Sequence, residues 1–122
     1  MISTQGAQNK TIPPNVTLNL EDAIERMGDR EIYLEIAHFF ASHLQESLKA
    51  LSLALNSGDA VEATRLAHSL KGNCATVGAD ELRDQCLQME RLCRDGDLDK
   101  AHVLYAELSP KLLALRDILM AL

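Results

Sequence analysis

Residues 30 to 56, REIYLEIAHFFASHLQESLKALSLALN, carry Ile32, Ile36, Phe40, Leu44, Leu48, Leu51 and Leu55 in steps of three and four. That spacing stacks side chains on one face of an α-helix and would divide them between the two faces of a strand. A long helix with one apolar face has to be covered by other elements. The same period recurs through most of the chain. Trp is absent and aromatics are only 3% of residues, so the core has to be built from Leu, Ala and Ile. Such side chains suit helix-on-helix packing better than a β-sandwich.

Asp, Asn and Gly divide the pattern into five helices. A short first one, LEDAIERM, follows Asn19 as its cap and stops at Gly28. Asp29 caps the long second helix, and SGD ends it. Asp59 starts the third, with Glu62 three residues on completing a box-like cap. Gly78 closes the third helix. The fourth, DELRDQCLQMERLCR, aligns Leu82, Cys86, Met89 and Cys93, and has Arg91 and Arg94 in its last turn, where cations suit the helix dipole. After DGD the fifth runs to the end with Ala101, Leu108, Leu112, Leu115 and Leu119 in register. Pro110 interrupts it, which predicts a kink or two shorter pieces. Short connections make neighbouring helices antiparallel. The expected architecture is all-α: an up-down antiparallel four-helix bundle over residues 18–122 with a short additional N-terminal helix. Residues 1–17, polar and aperiodic around Pro13 and Pro14, are expected to form a flexible tail or linker.

A chain of 122 residues is the size of one domain. Its net charge of -6 and lack of a basic run argue against a nucleic-acid partner. No apolar stretch reaches transmembrane length, so membrane insertion is not expected. The opening MISTQGAQNK has no apolar signal segment, and three cysteines do not make a disulfide framework. Both point to a reducing cytoplasm. His38 and His43 are poorly spaced for a shared ligand on a helix, His102 has no partner pattern, and no C-x-x-C occurs, so no metal site is expected. Phosphate-binding loops, nucleophile elbows and dinucleotide fingerprints are also missing.

The third helix holds an anomaly. On a wheel of about 100° per residue, Ala63, Leu66, Ala67, Leu70, Cys74 and Val77 form the core face. His68 falls nearly opposite, with Thr64, Arg65, Lys71, Gly72 and Ala75 as its surface neighbours. Gly72 in a helix interior loses about 1 kcal/mol relative to Ala. A packing glycine would face another helix, and this one faces outward. Either it is tolerated beside a solvated histidine, or the surface is kept low so that another protein can reach the imidazole. Imidazole, with an ordinary pKa of about 6.5, is mostly neutral near pH 7 and can act as a nucleophile. A lysine beside it can offset arriving negative charge.

The run AHSLKGNCATVGADEL resembles the signature of histidine-containing phosphotransfer (HPt) domains, a pattern close to A-H-x-L-K-G-x-S/A-x-x-x-G-A/L. Ala67, His68, Leu70, Lys71, Gly72, Gly78 and Ala79 stand at matching positions, and the likeness spans roughly residues 19 to 122. Asn73 and Cys74 depart from it, standing where small Ser or Ala is common.

The resemblance implies a phosphocarrier in a two-component phosphorelay. His68 would take a phosphoryl group from a receiver-domain aspartate and pass it to another, Lys71 would steady its charge, and Gly72 would give clearance. It implies response-regulator receiver domains and a hybrid histidine kinase as partners, no ATP site, and no cofactor of its own, with Mg²⁺ on the receiver. A monomer is expected. Some family members place a Gln 22 residues past the histidine to hold the imidazole, and here that position is Glu90. Glu90 would either accept from the inner ring N–H or lie solvated on the helix flank. Ile24, Met27 and Phe39 could form an apolar docking patch. The competing reading is a helical adaptor that binds receiver or kinase domains without being phosphorylated.

Overall fold

The computed structural model describes residues 10–12 and 16–122. Five helices follow one another: α1 (Leu20–Met27), α2 (Arg30–Asn56), α3 (Ala60–Val77), α4 (Asp80–Arg94) and α5 (Leu98–Met120). Helices α2 to α5 close a ring in which α2 touches α3 and α5, and α4 touches the same two. The result is the expected antiparallel four-helix bundle, with α1 laid against α2 and α3. Asp29 caps α2 by accepting from the Glu31 and Ile32 amides. Asp59 caps α3 by accepting from the Glu62 amide, but the Glu62 side chain turns to Arg65 and leaves the box half made. Asn19 departs from the expected cap as well. Its side chain donates to Asp80 and makes no bond to the start of α1.

The long row on α2 holds in its middle and fails at its start. Phe40, Leu44, Leu48, Leu51 and Leu55 are buried, whereas Ile32 and Ile36 are 46% and 40% exposed. Each step of four advances about 40° around a helix, so a straight row winds off the core face. Tyr33 and Ala37 take the buried places instead. The Tyr33 hydroxyl donates to the Val77 carbonyl at 2.7 Å, and burial pushes the phenol up to about 12 despite the nearby Arg26. Helix α5 runs unbroken through Pro110, so the alternative of two shorter pieces does not occur. Pro110 lies on the exposed side of α5, as does Ala106 four residues before it. A carbonyl left without its helical partner there can be met by water.

A feature absent from the sequence reading precedes α1. Lys10–Ile12 and Val16–Leu18 pair antiparallel, Lys10 opposite Leu18 and Ile12 opposite Val16. Val16 and Leu18 are fully buried in the core. The expected flexible tail over 1–17 is therefore wrong for its last part. Its residues 1–9 and 13–15, with Pro13 and Pro14, lie outside the described residues. The ribbon leads into Asn19, whose amide donates to the Gly78 carbonyl at 2.9 Å. Gly78 has φ +90°, and a Cβ there would sit 2.6 Å from the Asn19 carbonyl oxygen. Only glycine meets both demands at the turn from α3 into α4.

Candidate functional site

Helix α3 buries the six residues that its wheel assigns to the core, Ala63, Leu66, Ala67, Leu70, Cys74 and Val77. That commitment fixes the roll of the helix and puts His68 outside, leaning toward α4. Its side chain is 65% exposed, and Nδ1 lies 3.0 Å from Glu90 Oε2. Glu90 sits 22 residues later on α4 with its side chain only 4% exposed. Charged groups are almost never buried so far unless paired. Glu90 is paired three times. Lys71 Nζ meets Oε1 at 2.9 Å as an ion pair, out of line for a directed hydrogen bond. Arg94 Nη2 donates to Oε2 at 2.6 Å, and His68 takes the same oxygen. Burial pushes the Glu90 carboxyl up, but Lys71, Arg94 and His68 outweigh it and hold the group down to about 2. Glu90 is thus a carboxylate at neutral pH and can only accept. His68 therefore carries its proton on Nδ1 when neutral, which leaves the lone pair on Nε2 of a side chain that is 65% exposed. Glu90 is buried and lies against the imidazole, and is not solvated on the helix flank.

Gly72 is exposed one turn beyond His68, and a Cβ built on it would meet nothing within 4 Å. No contact among the described residues requires glycine here. Ala75, half-buried, continues the low surface, and its carbonyl accepts from Arg26 of α1 at 3.5 Å. Thr64 and Arg65 make no hydrogen bond to the histidine among the described residues. The Thr64 hydroxyl donates to the Ala60 carbonyl, and Arg65 makes two bonds to Glu62. Cys74, Cys86 and Cys93 are free thiols sealed in the core.

Phe39 is 68% exposed and stacks on His43 with ring centroids 4.3 Å apart. It stands six residues, about 9 Å, along α2 from Tyr33. The antiparallel partner α3, anchored by the Tyr33–Val77 bond, is level with it near Lys71 and Gly72. Ile32, Ile36 and Phe39 share one flank of α2. The other flank carries Gln45, which accepts from Arg116 of α5 at 3.2 Å. The apolar stripe thus lies on the side of α3 and the histidine. Ile24 and Met27 of α1 are half-buried against the core. Ile32 and Ile36, placed by the sequence on the apolar face of α2, are exposed on the same flank as Phe39. Arg94 was also missed as part of the site, although its spacing of four from Glu90 is that of a helix ion pair.

No helix among the described residues is long and apolar enough to cross a membrane. The sequence model of the Hpt domain matches residues 35–122. A curated relative, the phosphorelay intermediate protein rdeA of Dictyostelium discoideum, is 27% identical over 81 residues, 66% of this chain. The chain spans about a third of that relative's length. Among solved structures, the histidine-containing phosphotransfer protein HptB of Pseudomonas aeruginosa PAO1 superposes with a TM-score of 0.73 at 28% identity. That match covers 84% of this chain and 87% of the other. A rice candidate for the same class shares the fold, with a TM-score of 0.69 at 20% identity over 81% of this chain and 74% of its own. The family match takes in the displayed histidine, the carboxylate behind it and three of the four bundle helices whole, and on that ground this chain belongs to the Hpt domain family.

Proposed function

We propose that this chain is a phosphocarrier in a multistep phosphorelay, taking a phosphoryl group on His68 from the aspartate of one receiver domain and giving it to the aspartate of another. The observation that carries this reading is the pairing of His68 Nδ1 with a buried carboxylate while the imidazole side chain stays 65% exposed, one turn from a Gly72 whose added Cβ would meet nothing within 4 Å. In the forward step the Nε2 lone pair attacks phosphorus. The N–P bond forms as the P–O bond to the aspartate breaks, and the carboxylate leaves with its electron pair. The ring keeps its Nδ1 proton and gains positive charge, which the Glu90 carboxylate stabilises. Lys71 stands within one turn to face the phosphoryl oxygens. The return step is the same displacement by the second receiver's carboxylate. Such a transfer depends chiefly on positioning and charge, which this site can supply without ATP-binding elements or a cofactor of its own. The Mg²⁺ would sit in the receiver.

Ile24, Ile32, Ile36, Met27 and Phe39 would take an apolar face of the receiver, bringing its aspartate across Gly72 to the imidazole. A hybrid kinase as phosphoryl source, a monomeric carrier and a cytoplasmic setting fit the same reading. A two-stage relay tests it: label one receiver on its aspartate, add the chain, then add a second receiver. Label should pass from the first protein to the second only when the chain is present. Binding to both receivers with no passage of label would make the chain an adaptor.

A further inference from the structure

Glu90 Oε2 serves two donors, His68 Nδ1 at 3.0 Å and Arg94 Nη2 at 2.6 Å. Arg94 lies across the seam between α3 and α4, where with Ala60, Val61 and Thr64 it lines a shallow groove. A helix-end arginine needs only the dipole and solvent, and an exposed i, i+4 pair would leave the carboxylate in water. Here the carboxylate is out of water, and the arginine reaches back to the oxygen that the imidazole uses.

That shared oxygen matters for the nucleophile. An uncompensated buried carboxylate beside an imidazole stabilises the imidazolium, and an imidazolium has no Nε2 lone pair. Resting on the phosphocarrier reading, we propose that Arg94 is a positioning residue of the transfer site: by sharing Glu90 Oε2 with His68 it offsets the carboxylate's charge, so that Glu90 orients the ring without drawing a second proton onto it. Lys71 does the same at Oε1 but is also placed to meet the phosphoryl group. Were Lys71 to leave Oε1 for the phosphoryl group, Arg94 would be the cation left on Glu90. On α3, Arg65 is held by Glu62, and on the near flank of α2, His43 has Nδ1 on the Phe39 carbonyl.

The test is an NMR titration of the His68 ring in the unphosphorylated protein, with the pH dependence of phosphoryl uptake measured alongside. Arg94→Gln should move the His68 midpoint upward by about half to one pH unit, the size expected from losing one charge at this range in a partly solvated site. The acid limb of the uptake profile should move with it. Arg94→Lys should restore most of the shift. Arg91→Gln removes the same charge from the same turn on an exposed face, and should leave the midpoint in place. Equal midpoints in Arg94→Gln and Arg91→Gln would overturn the proposal, as would a shift that Arg94→Lys does not reverse. Because the titration needs no phosphate, it stands even if the chain takes no label, which would be the failure of the phosphocarrier reading instead.

Discussion

Glu90 Oε2 lies 3.0 Å from His68 Nδ1, with the carboxylate side chain 4% exposed and the imidazole 65% exposed. One partner is fixed in the interior, and the other is fixed by it at the surface. The ring can therefore be presented to a partner in one orientation without a cover of its own.

The carboxylate's low pKa makes the pair a stability element with a defined pH window. Glu90 titrates at about 2 in the folded chain against an ordinary 4.5, so folding favours its charged form. Its stabilising share is complete above about pH 4.5 and is lost as pH falls toward about 2. Glu90→Gln has no such group. Urea unfolding at neutral pH and near pH 3 should show a larger fall in midpoint for the wild type than for Glu90→Gln. Equal falls would show that the pairing contributes nothing to folding.

Gly72 sets local stability against approach. Since a Cβ there meets nothing within 4 Å, Gly72→Ala should stabilise the protein by about 1 kcal/mol in thermal unfolding. Gly72→Leu should keep the bundle folded and yet slow phosphoryl transfer from a receiver by tenfold or more, about 1.4 kcal/mol on the barrier. A normal transfer rate in Gly72→Leu would remove the clearance argument.

The stripe on α2 should act as a binding surface without chemistry. Phe39→Ala should weaken receiver binding about tenfold, the usual scale for a central aromatic anchor, and leave the melting temperature nearly unchanged because Phe39 is 68% exposed. Isothermal titration against a receiver measures the first and calorimetry the second. Unchanged affinity would take Phe39 out of the patch.

The parts of this molecule that were legible in the sequence are those governed by one helix at a time. Ala63, Leu66, Ala67, Leu70, Cys74 and Val77 were readable as a core face because α3 is short enough for its apolar positions to stay in phase. Its roll then placed His68 and Gly72 outside. Ile32 and Ile36 were misread because their row on the 27-residue α2 winds away from the core. Val16 and Leu18 were missed because a strand of three residues is too short to show alternation. Glu90 stayed ambiguous because its burial depends on contacts between two helices. The spacing to Arg94 was visible, but the approach of Lys71 and His68 from α3 was not.

The central claim is that His68 itself carries the phosphoryl group. The most direct measurement incubates the chain with a receiver domain labelled on its aspartate and follows acid-labile, alkali-stable label on the wild type and on His68→Gln. The site geometry predicts label on His68 in the wild type and none on His68→Gln, which should fold normally because its side chain is mostly solvated. An unlabelled wild type, or label retained by His68→Gln, would contradict it.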